Sequence, residues 1–267
     1  MRERLAEAWQ GRRLVLFFGR RAAEKRIKRT ILGATWLFIR PLLDVTIRAL
    51  VFGGLLGAPS AGLPYFLFFL IGMAIWNLFD RSLFWATRGI ELNRGLLRRA
   101  YMPRLLLPIG STSPAIFELV TYTVLLVLGF TGFWIADGES YLEFGTGLLL
   151  VPAALALAFM YAIAVGLWTS MLAARARDVR FTMAYVLGFW FFLSPVIVPL
   201  ADIPSGYRTV VQLNPLTPIV EMFREGLTGR GTVELEFLIG GGAAMALIAV
   251  SGLWFFARME SAAVDSM

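Results

Sequence analysis

The sequence predicts an all-α membrane protein of six transmembrane helices, with an interfacial helix ahead of them, a cytoplasmic helix after the second and short outer helices before the last. Three observations carry that prediction. Hydrophobic residues make up 58% of the 267, only 16% are charged and mean hydropathy is +0.71, which is too apolar for an ordinary soluble domain. Apolar runs close to the roughly 20 residues that cross a bilayer core of about 30 Å recur along the chain. The basic residues gather in blocks between those runs, so the net charge of +7 reads as membrane topology and not as nucleic-acid binding.

Residues 1–29 carry ten basic residues around an apolar core only five residues long, at 14–18, so they are not a cleavable signal peptide. Leu5, Trp9 and that core lie among arginines, the composition of a helix in the headgroup layer. Such a helix either anchors on anionic lipid or helps to recognise a lipid-linked substrate. The six spans follow at about 31–57, 65–87, 105–136, 144–174, 181–200 and 237–257, within one permease domain covering 1–267. Ten basic residues in the amino-terminal arm, five in the hairpin after span two and three in the turn after span four put these segments, and both termini, on the cytoplasmic side. The loops around Pro59 and 137–143 hold no basic residue, and 201–236 holds only Arg208, Arg224 and Arg230.

In the first span Arg40, Asp44 and Arg48 recur every four residues and share a helical face, with Pro41 bending the backbone beside them. Charges at that depth pair with one another, or with Asp80 or Glu118 of neighbouring spans, or else wall a polar conduit. Tyr65, Phe69 and Trp76 in span two, with Phe189 and Trp190 in span five, supply flat rings. They either pack or carry the apolar faces of sugar rings past them.

The hairpin at 88–108 sets Leu92, Leu96 and Leu97 at helical spacing among Arg88, Arg94, Arg98, Arg99 and Arg104, and Pro103 ends the element. It is either a solvated loop that anchors the spans or an amphipathic surface on which another protein pushes. At 214–229, Asn214 and Pro215 start a helix with Ile219, Phe223 and Leu227 on one face and Glu221, Arg224 and Glu225 largely away from it. Too short to cross, it is a re-entrant piece or a lid at the outer surface. Cysteine and histidine are both absent, so disulfide, thiol and imidazole chemistry drop out, and no plausible zinc site remains.

The chain resembles the transmembrane subunits of ATP-binding-cassette exporters of polysaccharides and polyol phosphates, the class that moves O-antigen, teichoic acid, capsule or galactan outward. The resemblance runs through Leu32-Gly33-Ala34-Thr35-Trp36 with Pro41-Leu42-Leu43, Asn93-Arg94-Gly95-Leu96-Leu97, Met102-Pro103-Arg104 and Leu107-Pro108. It continues through Ala176-Arg177-Asp178-Val179, Ser194-Pro195-Val196 and Asn214-Pro215 followed by Phe223-Arg224, and so covers almost the whole chain. Arg40 departs from it, since an uncharged residue is expected before Pro41.

The resemblance implies a homodimer in the cytoplasmic, or inner, membrane, each copy resting on one of two nucleotide-binding ATPase subunits and handling a polyprenyl-pyrophosphate-linked glycan. ATP and magnesium would be bound by those partners, with no cofactor in this chain, which has no G-x-x-x-x-G-K-[ST] loop and is not itself an enzyme. It implies coupling to the ATPase through Asn93, Leu96, Leu97, Arg98, Arg99 and Arg104. A canal would form between spans one and five, closed outside by Asn214, Pro215, Phe223 and Arg224.

Three alternatives remain at this level. They are a small-molecule exporter of the same fold, a membrane glycosyltransferase using Asp137, Glu139 and Glu143, and a passive channel.

Overall fold

The computed structural model describes residues 35–93, 95 and 104–262, which are helical with no β-strand among them. The expected interface helix at 1–29 lies outside the described residues, as do Leu96, Leu97, Arg98 and Arg99 of the coupling hairpin.

Helix α1, Trp36–Ala49, carries Pro41 in its interior and runs on as a π-helical turn, Leu50–Leu55. In that wide turn a Cβ on Gly53 would lie 2.4 Å from Cγ of Tyr65, so only glycine admits the ring. Helix α2, Tyr65–Leu92, begins after Pro64, whose carbonyl accepts the Leu67 and Phe68 N–H groups at 2.9 and 3.0 Å. Short α3, Leu106–Ser111, breaks at Thr112, whose hydroxyl donates to the Ile109 carbonyl at 2.6 Å, and α4, Ser113–Asp137, resumes at once. After a 3-10 turn at Thr146–Leu149 come α5, Leu150–Arg175, and α6, Asp178–Phe192. Helices α7, Ser205–Gln212, α8, Leu216–Thr228, and α9, Leu235–Ala262, complete the chain.

Among the described residues, four stretches are long and apolar enough to cross a bilayer: Tyr65–Leu92, Leu106–Asp137, Thr146–Arg175 and Leu235–Met259. They match the expected second, third, fourth and sixth spans. The first and fifth come out differently. Arg40, Asp44 and Arg48 make α1 polar for its length, and α6 stops at Phe192, short of the expected 200, where Ser194-Pro195 breaks the helix. Helix α7 then occupies part of the connection before the last span, where short helices were expected but only the one at 214–229 was given a place.

Helix α2 is the hub. In its most apolar window 78% of residues are buried within the chain, against 28% or less for the other three spans, so α2 is walled by protein while the others keep broad faces for lipid. Close approach depends on small residues. A Cβ on Gly89 of α2 would meet the Leu107 carbonyl at 2.7 Å, and one on Gly166 of α5 would meet Ala86 of α2 at 2.5 Å.

The expectation that Glu221 and Arg224 lie away from the packed face of the 214–229 helix is corrected. Eleven of the 13 residues of α8 are buried, those two among them, because α8 is set into the bundle against α2, α5 and α9. A surface lid is thereby excluded in favour of an inserted element.

Candidate translocation path, gate and coupling hairpin

A cavity of about 600 Å³ opens between α1, α2 and α6, the elements the sequence puts at the canal. Its aromatic wall is Phe52, Trp76, Phe84, Phe191 and Phe192, and its polar wall is Arg48, Arg81, Arg88 and Arg180 with Asp80. Arg48 pairs with Asp44 at 3.0 Å and lies 5.4 Å over the Phe191 ring. Arg81 pairs with Asp80 at 2.6 Å and comes within 3.8 Å of Glu118, so Asp80 and Glu118 meet Arg81 and not the α1 arginines. Arg40 is exposed outside the cavity, so the expected three-residue stripe reduces to one pair.

The predicted aromatic path residues separate. Trp76 lines the cavity with only 7% of its surface exposed, whereas Phe69 is fully buried in the core. Tyr65 is half-buried, and its hydroxyl donates to the Ile197 carbonyl at 2.8 Å. Trp190 is half-buried against Phe79 and Tyr161, with centroids at 5.3 and 5.9 Å, while Phe189 points outward and is 68% exposed. In the single chain most of these rings stack on one another and leave a narrower lining than the composition suggests.

The segment expected to form the gate is built around Asn214 and Arg224. The Trp190 indole donates to Asn214 Oδ1 at 3.0 Å, and Asn214 Nδ2 donates to the Leu193 carbonyl and to Ser194 Oγ, each at 3.0 Å. Asn214 Oδ1 also accepts the Leu216 N–H at 3.0 Å, so one side chain both starts α8 and fastens it to the end of α6. Pro215 then occupies the N-cap position. Further along, Arg224 is fully buried, donating to Glu221 Oε1 at 2.5 Å and to the Pro195 carbonyl at 2.7 Å, with its guanidinium 4.2 Å over Phe68. Glu221 Oε2 accepts the Thr232 N–H at 2.9 Å, tying in the segment after α8. Phe223 is buried in the core, 2% exposed.

Outside these, Arg230 donates to the Gly62 carbonyl and lies 5.9 Å over the Tyr141 ring. The Glu143 N–H donates to the Leu227 carbonyl at 2.9 Å, so three connections at this end of the bundle are clasped together. The Tyr141 hydroxyl donates to Asp137 Oδ2 at 3.0 Å, and that bond raises the phenol above its ordinary pKa.

At the other end, Asn93 Nδ2 donates to the Gly89 carbonyl at 2.7 Å and to Ser111 Oγ at 3.2 Å, joining the end of α2 to α3 across the hairpin. The Arg104 carbonyl accepts the Leu107 N–H at 3.0 Å as the chain re-enters helix. Sequence reasoning missed the contact that holds this end to α6, in which Arg180 Nη1 donates to both oxygens of Glu91, at 2.7 and 2.8 Å. Its one visible signal was a lone acid between arginines in the hairpin.

A bundle of apolar helices around a basic and aromatic cavity, with an inserted helix at one end and a basic hairpin at the other, defines a membrane transport subunit. Residues 13–228 match the ABC-2 type transporter family, and the chain belongs to that family. It is 24% identical over 251 residues to the O-antigen export system permease protein RfbA of Myxococcus xanthus, covering 93% of this chain and 91% of that one. It is 25% identical over 197 residues to the polysialic acid transport protein KpsM of Escherichia coli, covering 73% and 74% of the two chains.

Proposed function

We propose that this chain is the permease subunit of an ABC exporter that carries lipid-linked polysaccharide, of the O-antigen, galactan or teichoic-acid type, across the cytoplasmic membrane. ATP hydrolysis in a separate nucleotide-binding subunit drives it. The observation that carries the reading is the similarity along 93% of the chain to a permease named for O-antigen export. The aromatic and basic cavity at α1, α2 and α6 supports it, because rings hold sugar faces loosely while a cavity of that size admits a glycan head.

In this reading α1 with its π-helical turn and α6 are the first and fifth of six spans. Both termini face the cytoplasm, and two copies bring their α1 and α6 faces together to complete the canal. Asn93, Leu96, Leu97, Arg98, Arg99 and Arg104 receive the motion of the ATPase, which holds ATP and magnesium, and α8 closes the outer end. Depleting the protein should make polyprenyl-linked glycan accumulate on the cytoplasmic side, measured by extraction and mass spectrometry. If no such glycan accumulates and sensitivity to a drug or dye rises, the protein is a small-molecule exporter.

A further inference from the structure

We infer that the hairpin end of the cavity is an anion-binding site, in which Arg88 and Arg81, flanking Phe84, take a phosphate or carboxylate carried by the exported molecule. The inference rests on the export reading and adds to it a charge requirement on the cargo.

Four arginines and four acids gather around the cavity, but the acids are shared unevenly, two of them going to Arg81. Arg48 holds Asp44, Arg81 holds Asp80 and approaches Glu118, and Arg180 is bidentate on Glu91. Arg88 lines the same cavity and reaches no carboxylate among the described residues. A cation within a span is tolerated when it is paired or faces a polar cavity, so its counter-charge is expected from the cavity side.

The guanidinium carbons of Arg88 and Arg81 lie 5.3 and 5.6 Å from the Phe84 ring centre, so one ring steadies both. The Nε of each is shut off from solvent and has no hydrogen-bond acceptor, the 3.8 Å approach of Arg81 Nε to Glu118 being too long for one. Buried donors are normally satisfied, and with each Nε closed off it is the outer Nη groups of Arg88 that remain open to an acceptor in the cavity.

The chemistry that fits the open end of the guanidinium is an anion with two coplanar oxygens, bound through parallel N–H···O bonds. A phosphate on the carrier lipid and a carboxylate on an acidic sugar both qualify, and Trp76 and Phe191 extend the same cavity with rings against which a sugar can lie.

The test uses the permease purified with its ATPase subunit in phosphatidylcholine nanodiscs. Binding of farnesyl diphosphate and of trigalacturonate is compared with that of farnesol and of galactotriose. Arg88→Gln should raise the Kd of at least one charged probe tenfold or more, Arg88→Lys should keep the charge but recover only part of the affinity because it loses the parallel bonds, and the neutral probes should not respond. A response confined to the diphosphate assigns the site to the carrier, and one confined to trigalacturonate assigns it to an acidic glycan. Independently of any variant, excess inorganic pyrophosphate should displace the charged probe from the wild-type complex.

Failure of both charged probes to bind, unchanged affinity for both in Arg88→Gln, or no displacement by pyrophosphate overturns the site. Where glycan nevertheless accumulates on depletion, any of these three outcomes removes the anion site and leaves the export reading standing.

Discussion

Arg224 is among the largest side chains with no exposed surface, and its environment explains how a cation is kept there. Glu221 neutralises it, the Pro195 carbonyl takes a second N–H group and the Phe68 ring lies under the guanidinium. Removing one partner of such a pair strands the other, at a cost of about 3–5 kcal/mol, whereas replacing both with apolar residues costs much less. Arg224→Met should therefore lower the thermal unfolding midpoint in detergent sharply, and Glu221→Leu with Arg224→Met should recover much of the loss. A double variant less stable than either single would show that each residue acts through its other bonds.

The Asp44–Arg48 pair is the opposite case. Both side chains keep 39% of their surface exposed, so Asp44→Ala should cost about 1 kcal/mol or less. The same substitution leaves Arg48 unpaired at the cavity wall, so export should fall while the midpoint barely moves. Intact export in Asp44→Ala would place the pair outside the path. Both pairs sit at helical spacing and were visible in the sequence as spacing. Their difference in burial was not, because it depends on what packs against each helix.

At the scale of elements, α6 runs from the hairpin end of the bundle to the start of α8. Its first turn holds Arg180 on Glu91 at the end of α2, beside the hairpin, and its last turn holds Trp190 on Asn214 at the start of α8. A rigid helix fastened at both ends transmits displacement when the fastenings hold. Glu91→Arg and Arg180→Glu should each leave basal ATP hydrolysis by the complex in place and uncouple it from glycan export, and the two together should restore part of the coupling. No recovery in the double variant, with all three proteins expressed and inserted equally, would rule the contact out as part of the transmission.

The helical nature of α6 and the amphipathic 214–229 segment were both legible from apolar spacing. The early end of α6 and the place of α7 were not read, although Ser194-Pro195 and Pro204 mark the two boundaries in the sequence.

For the whole molecule, the cavity borders α1 and α6, and these faces also present Leu43, Ile47, Tyr185 and Phe189 as exposed apolar side chains. Native mass spectrometry of the complex purified through a tag on this chain should give two permease and two ATPase subunits. A permease that isolates alone and passes solute without ATP would be a channel.

The sequence by itself determined that the chain is a helical membrane protein, because crossing a bilayer requires length and continuous apolarity, and both are local properties read directly from residue order. It also determined the basic face, since uncompensated arginines collect where they do not have to cross. The tertiary structure alone decided which side of each helix meets protein. Lipid tails and a protein interior are both apolar, so hydropathy marks neither the burial of α8 nor the walling-in of α2. It likewise decided which charges pair. Arg180 finds Glu91 from 89 residues away and Arg224 finds the Pro195 carbonyl from 29, and such partners are set by how helices pack, which no local spacing records.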